Sequence, residues 1–217
     1  MPESVGVMGG TFDPIHFGHL VAAEEARVRL GMARVVFVPN GQPPHKAGYA
    51  VTAAEHRYNM VVLGTAGNPH FEVSRVEIDR SGPSYAVDTV KSLASQFAEG
   101  TTVHFITGAD AILELLTWRD PEQLARVCEF VAVARPGYDL DDIRQTLGEE
   151  LSRRVHYLDI PGVATSSTGL RERAAEGVSL RYLTPDPVAR YVVSHRLYWD
   201  LKCTRSRDCD EDMCATD

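Results

Sequence analysis

The amino-acid sequence predicts an α/β domain with a Rossmann-like, doubly wound and mostly parallel sheet that carries helices on both faces. Short runs rich in β-branched residues alternate with amphipathic segments, which is typical of parallel strands joined by helical crossovers. The length of 217 residues and the hydrophobic content of 44% are sufficient for one such domain with a sizeable core. We therefore predict one domain over residues 1–200, followed by a tail over residues 201–217.

Six segments are predicted to be strands, because each is short, apolar and bounded by turn-forming residues. In chain order they are residues 4–8, 35–39, 71–78, 103–107, 130–134 and 155–160. In a doubly wound sheet, ligands bind at the carboxyl ends of the strands, where loops meet the N-termini of helices. Functional residues are therefore expected directly after these strands.

Helices are predicted between the strands from capping signals and apolar faces. The first runs from about residue 18 to residue 30 and is closed by Gly31 as a left-handed cap. A capping box of Thr52 and Glu55 marks the start of the second helix. Arg57 lies among the apolar residues of this helix, on what we call its apolar line. The others are predicted to begin near Ser84, at Asp120-Pro121, near Thr168 and at Asp186-Pro187, and the last to end near Tyr198.

The charge balance disfavours nucleic-acid and membrane partners. The chain has 22 Lys and Arg against 30 Asp and Glu, a net charge of −8, so no global basic field attracts polyanions. No apolar stretch approaches the roughly 18 residues of a membrane span, and the first residues lack a basic segment followed by an apolar run. We expect a cytoplasmic protein, and both a monomer and a homo-oligomer are compatible with this composition.

The C-terminal tail has an unusual composition. Residues 208–217 include five acids and no base, which is typical of a disordered segment. Three cysteines, Cys203, Cys209 and Cys214, lie in the tail, whereas Cys128 lies in an apolar stretch. An odd cysteine cluster with no fourth ligand close in sequence favours neither a disulfide framework nor a zinc site.

The loop after the first strand has the strongest functional signal. Gly9 and Gly10 let the backbone approach a phosphate, and the following helix N-terminus supplies N–H donors and a partial positive charge. His16 and His19 are three residues apart, so both imidazoles can face the same anion. Either histidine alone is more typical of a surface residue, and the signal is the complete string Gly9-Gly10-Thr11-Phe12-Asp13-Pro14-Ile15-His16-Phe17-Gly18-His19.

A second candidate segment follows the sixth predicted strand. Ser166, Ser167 and Thr168 at a helix start can present hydroxyl and N–H groups to an anion, and Arg171 adds a charge one turn later. An ordinary capping cluster would have the same composition. The two segments are expected at the same sheet edge, which favours the functional interpretation.

These two strings resemble a known superfamily. Gly-Thr-Phe-Asp-Pro-x-His-x-Gly-His is similar to the signature of the HxGH adenylyl- and cytidylyltransferases, and Ser-Ser-Thr-Gly-Leu-Arg resembles their Ser-Ser-Thr-x-Ile-Arg, with Leu170 at the Ile position. The resemblance implies a Rossmann-like domain that performs direct nucleotidyl transfer. It also implies an ATP site formed by Gly9, Gly10, Thr11, Phe12, His16, His19, Arg135, Ser166, Ser167, Thr168 and Arg171.

Further segments resemble the bacterial nicotinate mononucleotide adenylyltransferases. They are Pro44-His45-Lys46, Gly82-Pro83-Ser84-Tyr85-Ala86-Val87-Asp88-Thr89, Gly108-Ala109-Asp110, Trp118-Arg119 and Arg135-Pro136-Gly137. Ala86 departs from the pattern, because this family commonly has threonine there, and the loss of that hydroxyl bears on acid-over-amide selectivity. The mononucleotide site implied by the resemblance comprises Asp13, Lys46, Ser84, Tyr85, Ala86, Asp110 and Trp118.

The chemistry implied is transfer of AMP from ATP to nicotinate mononucleotide, which gives deamido-NAD and pyrophosphate. His16, His19, Lys46 and Arg171 would stabilise the charge that develops on the phosphates. Mg²⁺ is expected to arrive bound to ATP, since the sequence has no dedicated carboxylate cluster to hold it. The alternatives are the same reaction on nicotinamide mononucleotide or phosphopantetheine, and a nucleotide-binding regulator without turnover.

Overall fold

The computed structural model describes residues 3–42, 51–134, 146–147, 149 and 151–199. Six parallel strands form one sheet in the order β3-β2-β1-β4-β5-β6, which confirms the predicted doubly wound α/β fold. The strand order reverses between β1 and β4, whose carboxyl ends therefore flank the crevice where such folds bind ligands. The strands are β1 (Ser4–Gly10), β2 (Arg34–Pro39), β3 (Phe71–Val73), β4 (Thr102–Gly108), β5 (Glu129–Ala134) and β6 (Val155–Asp159).

Helices cover both faces of the sheet. A short 3-10 helix, Leu115–Thr117, lies between α4 and α5. The α-helices are α1 (Phe17–Arg29), α2 (Ala54–Thr65), α3 (Ala86–Ala94), α4 (Ala109–Leu113), α5 (Pro121–Val127), α6 (Ser167–Ala175) and α7 (Asp186–Ser194). None of the helices in the described part of the chain has the length and apolar character that crossing a membrane requires.

The sheet separates two buried apolar clusters. Met8 and Val188 belong to the cluster beneath α1, α2, α6 and α7, whereas Val7 and Val90 belong to the cluster beneath α3 and α5. Adjacent residues of β1 enter opposite clusters because successive side chains of a strand point to opposite faces. This double burial explains the nearly continuous apolar run of β2.

The first helix ends as its sequence predicts. Gly31 has φ +63°, its N–H donates to the Val28 carbonyl at 3.4 Å, and the Met32 N–H donates to the Arg27 carbonyl at 2.8 Å. This pair of bonds is a Schellman motif, which places a glycine in the left-handed region just after the helix. The turn directs the chain into β2.

The third strand is shorter than predicted. Only Phe71–Val73 pairs with β2, and the extension to residue 78 is wrong. After the Ser74 N–H donates to the Phe37 carbonyl, the chain turns, and the Asp79 N–H donates to the Arg75 carbonyl at 2.9 Å. The β-branched residues 76 and 78 belong to this turn rather than to a strand, because β-propensity depends on the packing context and does not by itself extend a strand.

The predicted capping box at α2 is also wrong. Ala53 is the N-cap residue, and Thr52 lies outside the helix, where its backbone N–H donates to Oδ2 of Asp13 at 3.2 Å. Glu55 forms an ion pair with Arg75, whose Nη2 lies 2.6 Å from Oε1. Both residues thus have tertiary partners in place of the local bonds that the sequence pattern predicts.

Other helix boundaries differ by a few residues. α3 begins at Ala86 with Tyr85 as N-cap, rather than near Ser84. The last helix ends at Ser194 rather than near Tyr198, because Arg196 and Tyr198 have positive φ values that helical backbone does not allow. The prediction that α5 opens at Asp120-Pro121 is confirmed. The short helix α4 was not predicted.

Candidate active site

Both sequence motifs lie at the carboxyl edge of the sheet, as predicted. The Oγ of Ser167 donates to the Pro14 carbonyl at 2.9 Å, and Nη1 of Arg171 donates to the Asp13 carbonyl at 2.8 Å. These bonds join residues more than 150 positions apart in the chain. The start of α6 is therefore fastened directly to the loop that follows β1.

The two histidines of this loop are stacked. The ring centroids of His16 and His19 are 3.8 Å apart with an interplanar angle of 24°. His16 is the N-cap of α1 and is only 3% exposed, whereas His19 lies one turn further and is partly exposed. The edge of His19 also contacts the Phe12 ring, at a centroid distance of 5.1 Å. Both imidazoles are thus held at the N-terminus of α1, where an anion is favoured.

The hydrogen bonding of His19 defines its tautomer. The backbone N–H of His16 donates to Nδ1 of His19 at 3.3 Å, and the two residues form a reciprocal capping box. A nitrogen that accepts from a backbone N–H carries no proton, so in neutral His19 the proton resides on Nε2. The ring therefore presents Nε2–H as a hydrogen-bond donor.

Close packing favours glycine at two positions of the loop. A Cβ at Gly10 would lie 3.0 Å from the Phe12 ring, and a Cβ at Gly18 would lie 3.0 Å from Nδ1 of His16. Phe12 itself has φ +49°, a strained conformation for a residue with a large side chain. The small residues therefore allow the histidines and Phe12 to pack against the backbone that would contact a phosphate.

Asp13 is buried beneath the loop. Its Oδ1 accepts a 2.7 Å hydrogen bond from the Tyr198 hydroxyl, and its Oδ2 accepts from the Thr52 N–H. Burial, together with the neighbouring Asp13 charge, raises the pKa of Tyr198, so that hydroxyl stays protonated as a donor. The Asp13 carboxylate therefore helps to hold the loop after β1 in place.

Arg57 is a site residue that the sequence motifs did not identify. It is 1% exposed, and its guanidinium donates to the carbonyls of Thr52 at 2.8 Å, Thr11 at 2.9 Å and Gly41 at 3.2 Å. Burial lowers its pKa, while the Asp13 charge opposes that shift. One side chain therefore connects the loops after β1 and β2 to the start of α2. The signal in the sequence was a basic residue on the apolar line of this helix.

The start of α6 combines capping with a fixed charge. Ser166 is the N-cap, and its Oγ accepts from the Gly169 N–H at 3.1 Å. The guanidinium of Arg171 bonds both to Oγ1 of Thr168 at 3.1 Å and to the Asp13 carbonyl. Ser166 therefore caps the helix, as the capping interpretation expects, while Arg171 is held against the loop after β1.

The residues predicted to bind the acceptor nucleotide lie on the other side of the crevice from the histidine loop. Tyr85 and Trp118 are half-buried against the apolar cluster of the opposite sheet face, and Trp118 contacts Phe105 edge to face at 5.7 Å. The guanidinium of Arg119 lies 4.4 Å from the centroid of the Tyr85 ring. Because Phe12 and Ile15 enter the other cluster, the two halves of the candidate site flank the point where the strand order reverses.

A buried polar cluster supports the start of α3. Glu77 is 4% exposed and accepts from Oγ1 of Thr89 at 2.7 Å, and burial raises its pKa. A Cβ at Gly41 would lie 2.1 Å from the Glu77 carbonyl oxygen, so this contact requires glycine. The Ser84 N–H donates to the Gln42 carbonyl at 3.3 Å. The residues after β2 thereby position Ser84 and the helix start that follows it.

Some predicted residues lie outside the described residues. They are Lys46, Arg135 and the side chain of Asp110, together with the tail cysteines Cys203, Cys209 and Cys214.

The fold and the site together define a class of protein. A doubly wound sheet carries stacked histidines at a helix N-terminus on one side of its switch point and aromatic residues on the other side. A fixed guanidinium lies against the histidine loop. This arrangement is that of a Rossmann-like nucleotidyltransferase domain.

Comparisons with known proteins agree with this class. The sequence model of the cytidylyltransferase-like family matches residues 7–173. A probable nicotinate-nucleotide adenylyltransferase of Moorella thermoacetica is 50% identical over 200 residues, which cover 91% of this chain and 92% of the relative. One from Corynebacterium glutamicum is 47% identical, with 96% and 92% covered. The chain belongs to the cytidylyltransferase-like family and, within it, to the nicotinate-nucleotide adenylyltransferases.

A solved structure shares the fold. Plasmodium falciparum nicotinic acid mononucleotide adenylyltransferase complexed with NaAD superposes with a TM-score of 0.73, covering 90% of this chain and 97% of that one. The sequence identity is 18%, so this likeness concerns the fold alone.

Proposed function

We propose that this chain transfers the adenylyl group of ATP to nicotinate mononucleotide, forming deamido-NAD and pyrophosphate in NAD biosynthesis. The observation that carries the proposal is the contact between Arg171 and the Asp13 carbonyl, which holds a cation against the loop that carries the stacked His16 and His19. The name shared by relatives that are about half identical supports the choice of acceptor.

The reaction is an in-line attack of the mononucleotide 5′-phosphate on the α-phosphorus of ATP. A bond forms between the attacking phosphate oxygen and the α-phosphorus while the bond to the bridging oxygen of pyrophosphate breaks. This transfer needs positioning and charge stabilisation rather than a protein nucleophile. The Nε2–H of His19 is the donor that we assign to the phosphate oxygens as charge develops, because its Nδ1 is occupied by the His16 N–H.

Arg171 stabilises negative charge on the triphosphate from the other side. Its two hydrogen bonds, to Thr168 and to the Asp13 carbonyl, restrict the guanidinium before substrate binds, so little side-chain entropy is lost on binding. Lys46 and Arg135 are proposed to add further positive charge, as the family resemblance implies. Gly9, Gly10, Thr11 and Phe12 provide the backbone that contacts the phosphates.

Mg²⁺ is proposed to enter with ATP. Both carboxylate oxygens of Asp13 already accept hydrogen bonds, and the one cluster of three metal-ligating side chains among the described residues lies at the opposite edge of the sheet. The side chains described at this edge therefore fit a metal held by phosphate oxygens better than one held by the protein. When bound, Mg²⁺ neutralises phosphate charge.

The acceptor is proposed to bind between the start of α3 and Trp118. Tyr85 and Trp118 offer apolar surface to a pyridine ring. The backbone N–H groups near Ala86, at the N-terminus of a nine-residue helix, favour a carboxylate over a neutral amide. We propose that this helix start replaces the hydroxyl that the family commonly has at this position.

Since both substrates are charged metabolites, we expect the reaction in the cytoplasm.

The test is release of pyrophosphate from ATP in the presence of a panel of acceptors. Release with nicotinate mononucleotide is expected. Release only with nicotinamide mononucleotide or only with phosphopantetheine would show that this compound, and not nicotinate mononucleotide, is the acceptor. Binding of ATP without release under any condition would indicate a nucleotide-binding regulator.

A further inference from the structure

Three metal-ligating side chains meet at the sheet edge opposite the candidate active site. His104 is near the start of β4, Glu129 is the first residue of β5, and His156 is the second residue of β6. Their neighbours Ile106, Val131 and Leu158, two residues further along each strand, all enter the cluster beneath α1. Side chains two residues apart point to the same face, so His104, Glu129 and His156 share that face.

The atoms of these side chains are close enough to bind one ion. Nε2 of His156 lies 2.6 Å from Oε2 of Glu129, Nδ1 of His104 lies 3.6 Å from the same oxygen, and all three ligand atoms lie within 4.8 Å of one another. In a tetrahedral zinc site with bonds of about 2.0–2.1 Å, ligand atoms are about 3.3 Å apart. To reach this value, the 2.6 Å separation would widen by about 0.7 Å, and the longest separation, which is at most 4.8 Å, would shorten by up to about 1.5 Å.

His104 is the member that an ion pair between Glu129 and His156 does not explain. It is 6% exposed, and its Nδ1 has no hydrogen-bond partner among the described residues. A buried imidazole nitrogen without a hydrogen-bond partner is a candidate to donate its lone pair to zinc.

The solvent access of the cluster also fits a bound ion. The side chains of Glu129 and His156 are 41% and 40% exposed, so an ion can enter from solvent and keep a water as its fourth ligand. Neighbouring Cys128 is not required as a ligand. Its thiol donates to the Leu124 carbonyl, and burial raises its pKa to about 12, which disfavours the thiolate that zinc needs.

We propose that His104, Glu129 and His156 form a binding site for a zinc-class divalent ion that joins β4, β5 and β6. This site is separate from the proposed adenylyl transfer, since three residues of β4 lie between His104 and Gly108 at the active edge, a separation of about 13 Å along the strand. Its role is to stabilise the half of the sheet that ends in β6.

The test uses metal-free full-length protein titrated with Zn²⁺ by calorimetry, and with Co²⁺ followed by absorption. Wild type is expected to bind one ion, with the visible bands of a tetrahedral nitrogen–oxygen site and no thiolate charge-transfer band. At zinc concentrations 100-fold above Kd, the melting temperature should rise by about 5–10 °C. No stoichiometric binding, or an unchanged melting temperature, would overturn the proposal.

Variants identify the site. His156→Gln and Glu129→Gln alter half-exposed side chains, so the fold should persist, and each should weaken zinc binding by about 100-fold or more. His70→Gln, an exposed histidine outside the cluster, is the matched control and should bind as wild type does. The triple change of Cys203, Cys209 and Cys214 to serine should also leave binding intact. Loss of binding in the serine variant, or normal binding in His156→Gln, would contradict the assignment.

Discussion

The hydroxyl of Tyr198 donates a 2.7 Å hydrogen bond to Oδ1 of Asp13, across 185 positions of the chain. Both residues are buried, Asp13 at 4% and Tyr198 at 9% exposure. The segment after the last helix is therefore part of the support for the loop that carries the histidines. A loop fixed in this way would position the proposed phosphate donors before substrate arrives, which lowers the cost of ordering them on binding.

Replacing Tyr198 with phenylalanine should destabilise the protein without changing its fold. The substitution leaves a buried carboxylate oxygen without its donor, which costs about 1–3 kcal/mol of unfolding free energy. Denaturant titration measures the change. Tyr182→Phe, at a residue that is 88% exposed, is the matched control and should have no effect. Equal free energies of unfolding for Tyr198→Phe and wild type would show that this hydrogen bond does not contribute to stability.

Replacing Arg57 with methionine should be more damaging. The change removes the donor for three carbonyls and the charge that balances buried Asp13, and we expect a loss of about 3–5 kcal/mol. Since domains have only about 5–15 kcal/mol of stability, the variant should unfold at a much lower temperature. The control is Arg190→Met on α7, whose side chain is 78% exposed. Similar melting temperatures for the two variants would refute the role of Arg57.

Replacing His19 with alanine should reduce turnover much more than nucleotide binding. Its donor matters most when charge develops on the phosphates, so kcat should fall by on the order of 10²–10³-fold while the Kd for ATP changes far less. Steady-state kinetics and calorimetry measure the two quantities. His70→Ala, at an exposed residue, is the control. Equal losses in affinity and rate would assign His19 to ground-state binding.

The sequence predicted the parts of the site that depend on local pattern. The glycine and histidine loop and the serines before Arg171 were recognised because a phosphate site needs these residue types at short spacing, and parallel topology placed them at one edge. Tertiary partners were not predictable in the same way. Thr52 and Glu55 match a capping box, yet Asp13 and Arg75 are their partners in the fold.

The same limit applies to the residues that were missed. Arg57 lies on the apolar line of α2, and nothing in its neighbours along the chain indicates three carbonyl acceptors from other segments. The cluster of His104, Glu129 and His156 comes from three strands with no shared motif, and only the sheet register brings it together. Residues that interact through register rather than through spacing require the structure.

Introducing threonine at Ala86 should sharpen the choice of acceptor. A hydroxyl at the first residue of α3 would add one hydrogen bond to a charged carboxylate, worth about 1.5–3 kcal/mol at most. The ratio of kcat/KM for the acid over the amide mononucleotide should therefore rise by about ten- to a hundredfold. Ala94→Thr, at the other end of the same helix, is the matched control. An unchanged ratio in Ala86→Thr would refute the hydroxyl argument.

The most direct test of adenylyl transfer to nicotinate mononucleotide is kcat/KM of the wild-type protein for the two mononucleotides, with ATP and Mg²⁺ in excess. The backbone N–H groups at the start of α3 offer donors to a carboxylate and no acceptor for an amide. Pyrophosphate release should therefore be faster with the nicotinate form, by a modest margin because Ala86 lacks the hydroxyl. Equal values for the two forms, or a higher value for the amide, would contradict the account.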